Sequence, residues 1–166
     1  NRAELVAVMK VLNQHSIVST TDADGRITYV NDRFCEISGY TRDELLGQNH
    51  QILSSGKHPR GFFKKMFETT LAGDVWQSEV CNRAKDGRHY WLRTDIAAVQ
   101  NPDGTPLMFV SIQTDITSQR KKYEQLELLQ TCIDRINDVV IISEAEPVQL
   151  PGPRIVYVNK AFERLT

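Results

Sequence analysis

Cysteine is scarce in this sequence: three in 166 residues, at Cys35, Cys81 and Cys132. An odd number at wide spacing argues against a disulfide framework and offers no metal-ligand pattern, so buried structural thiols in a reducing, cytoplasmic compartment are expected. Long apolar runs are also missing. No stretch approaches the ~20 residues needed to cross a bilayer, and no signal peptide opens the chain. The first residue is Asn1 rather than methionine, so a fragment of a longer protein is expected. Charge of one sign is not in excess. Twenty basic against 21 acidic residues leave a net charge of -1, which gives no reason to expect contact with nucleic acid or an anionic membrane surface. There is no nicotinamide fingerprint and no Ser/His/Asp or Cys/His set, so no catalytic or metal-ligating residue is assigned and a non-enzyme is expected.

What is present is a globular composition, 40% hydrophobic and 25% charged. The length suits one domain and part of a second. Near the start, Leu5, Val8, Met9 and Leu12 share one face at helical spacing, which predicts an amphipathic helix over 1–14. Two β-rich runs then flank Asp22-Ala23-Asp24-Gly25, a hairpin signal because glycine accepts the positive φ that tight turns demand. From Asn31 to Gly56 the pattern is of short helical pieces broken by Gly39, Gly47 and Gly56. Pro59 is placed to begin the next helix, which runs through Phe62, Phe63, Met66, Phe67 and Leu71 to Gly73.

Strands follow: Val75 to Ala84, His89 to Val99 and Leu107 to Thr114, separated by Lys85-Asp86-Gly87-Arg88 and Asn101-Pro102-Asp103-Gly104. Strands and helices in segregated runs predict an α+β fold, an antiparallel sheet covered by helices. Residues 118–136 return to helical periodicity, with Tyr123, Leu126, Leu129, Ile133 and Ile136 forming an apolar stripe. Such a stripe either packs on its own domain or pairs with the helix of a second copy.

The chain also repeats itself. Residues 27–38, ITYVNDRFCEIS, recur as 155–166, IVYVNKAFERLT, and HSIVSTTD upstream aligns with NDVVIISE. The second hairpin has a longer, proline-rich tip, EAEPVQLPGPR. Residues 137–166 therefore read as the opening of a second unit like the first.

The motifs Asp22-x-x-Gly25-x-Ile27-x-Tyr29-x-Asn31-x-x-Phe34, Gly39-Tyr40, Leu45-Leu46-Gly47, Lys85-Asp86-Gly87 and Asp115-Ile116-Thr117 together resemble a PAS domain over 15–117. The resemblance implies a five-stranded antiparallel sheet with helices on one face. It also implies a sensory role relayed through the 118–136 helix to an output domain in the same chain. Gly47-Gln48-Asn49-His50-Gln51-Ile52-Leu53 resembles the light-oxygen-voltage segment, but His50 stands where a cysteine would form the flavin adduct, so that photocycle is not expected. The closer resemblance is to the FAD-binding subclass of the NifL nitrogen-fixation regulator, the aerotaxis receptor Aer and MmoS-type redox sensors. It is carried by Ile52-Leu53-Ser54-Ser55-Gly56-x-x-Pro59-Arg60, Trp76-x-Ser78 and Asn82-Arg83-x-Lys85-x-Gly87-x-x-Tyr90-Trp91. Departures are Gln77-Ser78-Glu79 in place of Ser-Gly, Lys64 in place of a glutamate, and Leu92 in place of the second flavin-binding asparagine.

The cofactor implied is FAD, with FMN and haem as lesser candidates. The implied binding positions are Asn31, His50, Ser54, His58, Trp76, Asn82, Leu92 and Gln113. The residue types suit a flat ring with a polar edge: asparagine and glutamine offer both donor and acceptor, and tryptophan a broad apolar face. Ser54, Ser55 and Gly56 would present free backbone amides near phosphate, with Lys57, His58 and Arg60 adding positive charge. Each residue also has a plainer use. Asn31 stands where it either caps a helix or meets the ligand. Trp76 suits a core as well as a pocket. Asn82 is unexpected inside a strand unless it finds a polar partner. Gln113 alternates with Phe109 and Ser111 and faces either ligand or solvent. The histidines would be surface residues, or an axial ligand were haem bound. The alternative to a flavin sensor is a flavin-free domain that binds a metabolite or serves as a dimerisation scaffold. A homodimer through the flanking helices is expected, with no direct membrane contact.

Overall fold

The computed structural model describes residues 2–144 and 153–165, without the side chains of Arg2 and Leu5. It divides into two compact units, 1–118 and 119–166. The chain runs α1 (Arg2–His15), β1 (Ile17–Asp22), β2 (Ile27–Val30), α2 (Asp32–Ser38), α3 (Arg42–Leu45), a 3-10 turn (His50–Leu53), α4 (Phe62–Leu71), β3 (Trp76–Arg83), β4 (His89–Gln100), β5 (Pro106–Asp115), α5 (Thr117–Arg135), β6 (Ile141–Ser143), β7 (Ile155–Val158) and α6 (Lys160–Leu165). None of the described helices is long and apolar enough to cross a membrane.

In the first unit the five strands form one antiparallel sheet in the order β2-β1-β5-β4-β3. This is the expected α+β architecture. The turns are held by the short polar side chains that suggested them. Asp22 Oδ1 accepts from the Asp24 and Arg26 amides, and Gly25 adopts φ +78°. The three central helical pieces are equally local in origin. Thr41 and Glu44 cap α3 reciprocally, and Glu44 also pairs with Lys85 at 2.6 Å. The helix expected to begin at Pro59 starts instead at Phe62. Gly61 takes φ +88° immediately before it, a left-handed residue that no helix can include, so the proline lies in the turn leading in.

The core gathers at one end of the sheet. Ile17, Tyr90 and Leu92 meet Phe34 of α2, Leu45 of α3 and Leu53 of the 3-10 turn, all buried. Phe67 of α4 meets Phe109 of β5 edge to face, with ring centroids 5.7 Å apart. Odd positions of β1 and β5 and even positions of β3 and β4 therefore share the helix-covered face. On the other face Thr20, Asp95, Ala97, Val110 and Ile112 are half-buried.

Where it is described, the second unit repeats the asparagine and tyrosine contacts of the first. Asn31 Oδ1 accepts from the Val18 and Phe34 amides, and its Nδ2 donates to Ser16 O. Asn159 Oδ1 accepts from the Val140 and Phe162 amides, and its Nδ2 donates to Asp138 O and Ile133 O. Tyr29 donates to Asn13 and Tyr157 to Asp134. Both hairpins carry a register shift at the same place, Thr20/Thr21 and Ile142/Ser143. Most of the proline-rich tip expected between β6 and β7 lies outside the described residues.

Candidate functional site

The helix-covered face of the sheet is not uniformly apolar. Ser19 faces Ser111 across β1 and β5, and Gln113 faces Thr94 across β5 and β4. All four are buried, Ser19 and Thr94 to 1% exposure, Gln113 to 5% and Ser111 to 7%. Ser19 Oγ, Thr94 Oγ1, Ser111 Oγ and Gln113 Oε1 have no hydrogen-bond partner. Buried polar atoms are nearly always satisfied, and each one left bare costs about 1–3 kcal/mol. Four of them clustered on three adjacent strands describe a polar patch that calls for a ligand or bound water. Ser111 was in phase with Gln113 in the sequence, whereas Ser19 and Thr94 escaped that reading, since serine and threonine in a strand look like solvent-facing positions. Only the strand register places them beside Gln113.

Gln113 itself faces inward with Ser111 and Phe109, which removes the solvent-facing alternative. Asn82 lies opposite Tyr90, and its side chain acts to lower the pKa of the Tyr90 phenol. Burial nevertheless dominates, holding the phenol neutral and its pKa well above the usual value. Tyr90 is the cross-strand polar neighbour of this in-strand asparagine, and it was not among the expected site residues. Leu92 is packed in the core beside Tyr90, an apolar wall where an amide was absent from the sequence. Trp76 is buried at the start of β3 and meets Phe62 edge to face at 5.4 Å. A cleft of about 510 Å³ opens here, lined by Gly61, Phe62, Lys65, Thr69, Val75, Trp76, Gln77 and Ser78.

Asn31 is buried and its amide is taken up by the backbone of β1 and α2, so it acts as a helix cap and strand tie. His50 is largely buried in the 3-10 turn, its ring edge toward Phe34 at 6.0 Å. Burial lowers its pKa to about 4, so it is neutral at physiological pH.

The loop after the 3-10 turn differs from expectation. Of its expected amides that of Ser54 is taken, donating to Gln51 O, and Lys57 N–H donates to Ser55 Oγ. Ser54 forms a bridge to Asn82, and Ser55 Oγ donates to Cys81 O at 2.6 Å. His58 is not a positive charge. Its Nε2 accepts the Cys81 amide at 2.8 Å, and burial lowers its pKa. Its ring stacks on Phe62 at 4.2 Å and meets Trp91 at 6.2 Å.

At the exit of the sheet, Asp115 Oδ1 accepts from the Thr117 amide and hydroxyl. Thr117 Oγ1 accepts the Trp91 amide at 2.9 Å, and the Ile116 amide donates to Trp91 O. The Asp-Ile-Thr triplet thus fastens the first residue of α5 to the backbone of β4. No group of three or more potential metal ligands occurs among the described residues.

Comparison with known proteins agrees with this geometry. Residues 14–118 match the family model described as PAS domain. The chain is 31% identical over 150 residues to the nitrogen fixation regulatory protein of Klebsiella pneumoniae, covering 88% of this chain and 29% of that protein. It is 36% identical over 104 residues to the aerotaxis receptor of Escherichia coli K12, covering 63% of this chain and 20% of the receptor. The chain therefore spans less than a third of either relative's length. Among solved structures, a light-oxygen-voltage domain whose mechanism was probed with a flavin analogue superposes with a TM-score of 0.60. At 21% identity, covering 75% of this chain and 96% of that one, it speaks for the fold alone.

Proposed function

We propose, on the premise that the chain belongs to the PAS domain family, that residues 15–117 form a sensory module that binds FAD and reports redox state or oxygen. The carrying observation is the row of unpartnered buried atoms on Ser19, Thr94, Ser111 and Gln113. An isoalloxazine edge, with alternating carbonyls and ring nitrogens, suits such a row of hydroxyls and one amide. Phe109, Leu92 and Tyr90 provide apolar surface on the same face. Asn82 and Trp76 remain candidate contacts, and the cleft beside Trp76 gives room for the rest of a dinucleotide. The relatives named for nitrogen-fixation regulation and aerotaxis favour a redox or oxygen signal over a catalytic role.

The cofactor would supply a reversible redox change that alters which ring-edge atoms donate and which accept. Gln113 offers both functions, so rotation of its amide can answer either state. It lies on β5 two residues before Asp115, whose carboxylate holds Thr117 at the root of α5. A shift of β5 would thus bias the helix that leads onward. We assign 118–136 to this relay and 137–166 to the start of a second PAS domain, a reading supported by the repeated bonds of Asn31 and Asn159. Tyr123, Leu126 and Leu129 are exposed on α5 and favour pairing with the same helix of a second copy. An output domain further along the chain completes the scheme. The free cysteines, Cys35, Cys81 and Cys132, accord with a cytoplasmic setting.

The test is the absorption spectrum of the purified protein, with mass spectrometry of the cofactor released on denaturation. A yellow protein yielding FAD is expected. A colourless protein that takes up no flavin would return the domain to the metabolite-binding or scaffold alternative.

A further inference from the structure

Cys81 and Trp91 face each other across β3 and β4. Their backbone groups point away from one another. Cys81 turns its amide and carbonyl to the free edge of the sheet, where His58 and Ser55 take them. Trp91 turns its own toward β5, where Thr117 and Ile116 take them. Segment 54–58 is thus strapped along the edge strand by the Ser54–Asn82 bridge and two side-chain bonds. It lies between Asn82 and, through the stack of His58 on Phe62, Trp76.

From this geometry we infer that segment 54–58 is an edge strap bordering the cofactor site, that the His58–Cys81 hydrogen bond is its clasp, and that protonation of His58 opens it. The inference rests on the flavin reading for what the strap retains. His58 accepts the Cys81 amide through an unprotonated nitrogen, so adding a proton there converts an acceptor into a donor facing another donor. The Cys81 amide then has no acceptor, and the stacked imidazolium is left in an aromatic, largely apolar setting. Charged groups around it do not favour the proton. On the strand positions in phase with Cys81 and Trp91 the carboxylates are Glu79 and Asp95, against Arg83 and Arg93, with His89 also in phase. The segment itself carries Lys57, Arg60 follows it, and on α4, where Lys65 also lies, Glu68 is paired with Lys64. Burial, the larger cause, already depresses the pKa from 6.5, so the clasp is closed at neutral pH and opens under acid conditions.

The experiment follows two signals in the same chain as pH is lowered from neutral: exchange of the Cys81 amide by NMR, taken relative to its intrinsic rate at each pH, and release of bound FAD into excess of an FAD-specific apo-oxidase. In the wild type both should quicken as His58 titrates. His58→Ala should raise both about tenfold at neutral pH, as expected for one lost part-buried hydrogen bond. His58→Gln presents a carbonyl that accepts the amide but does not titrate, so both signals should lose their acid acceleration. Cys81 exchange that ignores both substitutions overturns the clasp. Unchanged FAD release with altered Cys81 exchange overturns the gating of the site. A protein that holds no flavin overturns the reading beneath it, while the exchange measurement still decides the clasp.

Discussion

Asn31 and Asn159 each hold a strand amide, a helix amide and a carbonyl of the preceding segment with one side chain. Asn159 adds a bond to Ile133 O in the last turns of α5, and its neighbour Tyr157 donates to a carboxylate, Asp134, where Tyr29 has the neutral Asn13. The grip on the incoming helix is thus stronger in the second unit, because hydrogen bonds to ionised acceptors are the stronger kind.

Replacing either asparagine should have separable effects. Asn31→Ala leaves buried backbone groups bare and is expected to destabilise the first unit by about 2–4 kcal/mol. Asn159→Ala should leave that unit's denaturation midpoint in place while the Val140 and Phe162 amides lose their protection. Hydrogen exchange read residue by residue distinguishes the two.

The unpartnered hydroxyls set up a trade between stability and binding. Thr94→Val and Ser111→Ala remove atoms that are bare without ligand, so each should stabilise the apoprotein by about 1 kcal/mol. Each should also weaken flavin binding by about tenfold, the loss of one hydrogen bond of ~1.4 kcal/mol. Urea denaturation and flavin titration should therefore move in opposite directions. Variants that lose stability and keep affinity would break the link between these atoms and the ligand.

Acid should destabilise the fold through His50. Its pKa falls from 6.5 unfolded to about 4 folded, so the unfolded chain binds the extra proton between those values. Above 6.5 both states are neutral and the group has no effect. As pH falls through the window stability is lost, up to about 3 kcal/mol at the lower end. His58, also depressed, acts in the same direction. In His50→Gln the slope of stability against pH over this range should flatten, which denaturation at a series of pH values would show.

Thr117→Val should detach the root of α5 from β4. The Trp91 amide loses its acceptor, and the expected cost is about 1–2 kcal/mol. Faster exchange at Trp91 and fraying of the first turn of α5 are the signatures. Pairing of the helix with a second copy, read by sedimentation, should be retained.

Much of the fold was legible because its signals are local. Asp22-Gly25, Asp86-Gly87 and Asp103-Gly104 mark turns by their own side-chain bonds, and the three long strands follow at nearly the predicted limits. The start of α4 was misplaced because a glycine at positive φ outweighed a proline suited to a first turn. The site was legible only in part. Asn82 and Gln113 stood out as amides within strands, whereas Ser19, Thr94 and Ser111 gain meaning from the pairing of strands far apart in sequence. His58 reads as a cation until the edge strand presents an amide to it. That contact belongs to tertiary structure, which residue spacing does not contain.

Both margins of the first sheet are covered in part by the chain itself. Along β2 the Ile27 amide and carbonyl are taken by Gln48 and Gly47, and along β3 those of Cys81 are taken by His58 and Ser55. Edges taken up at these positions offer neighbours a shorter template for lateral growth. Units of this kind can be strung in series at high local crowding without their strands fusing into a continuous ribbon, leaving communication between them to helices.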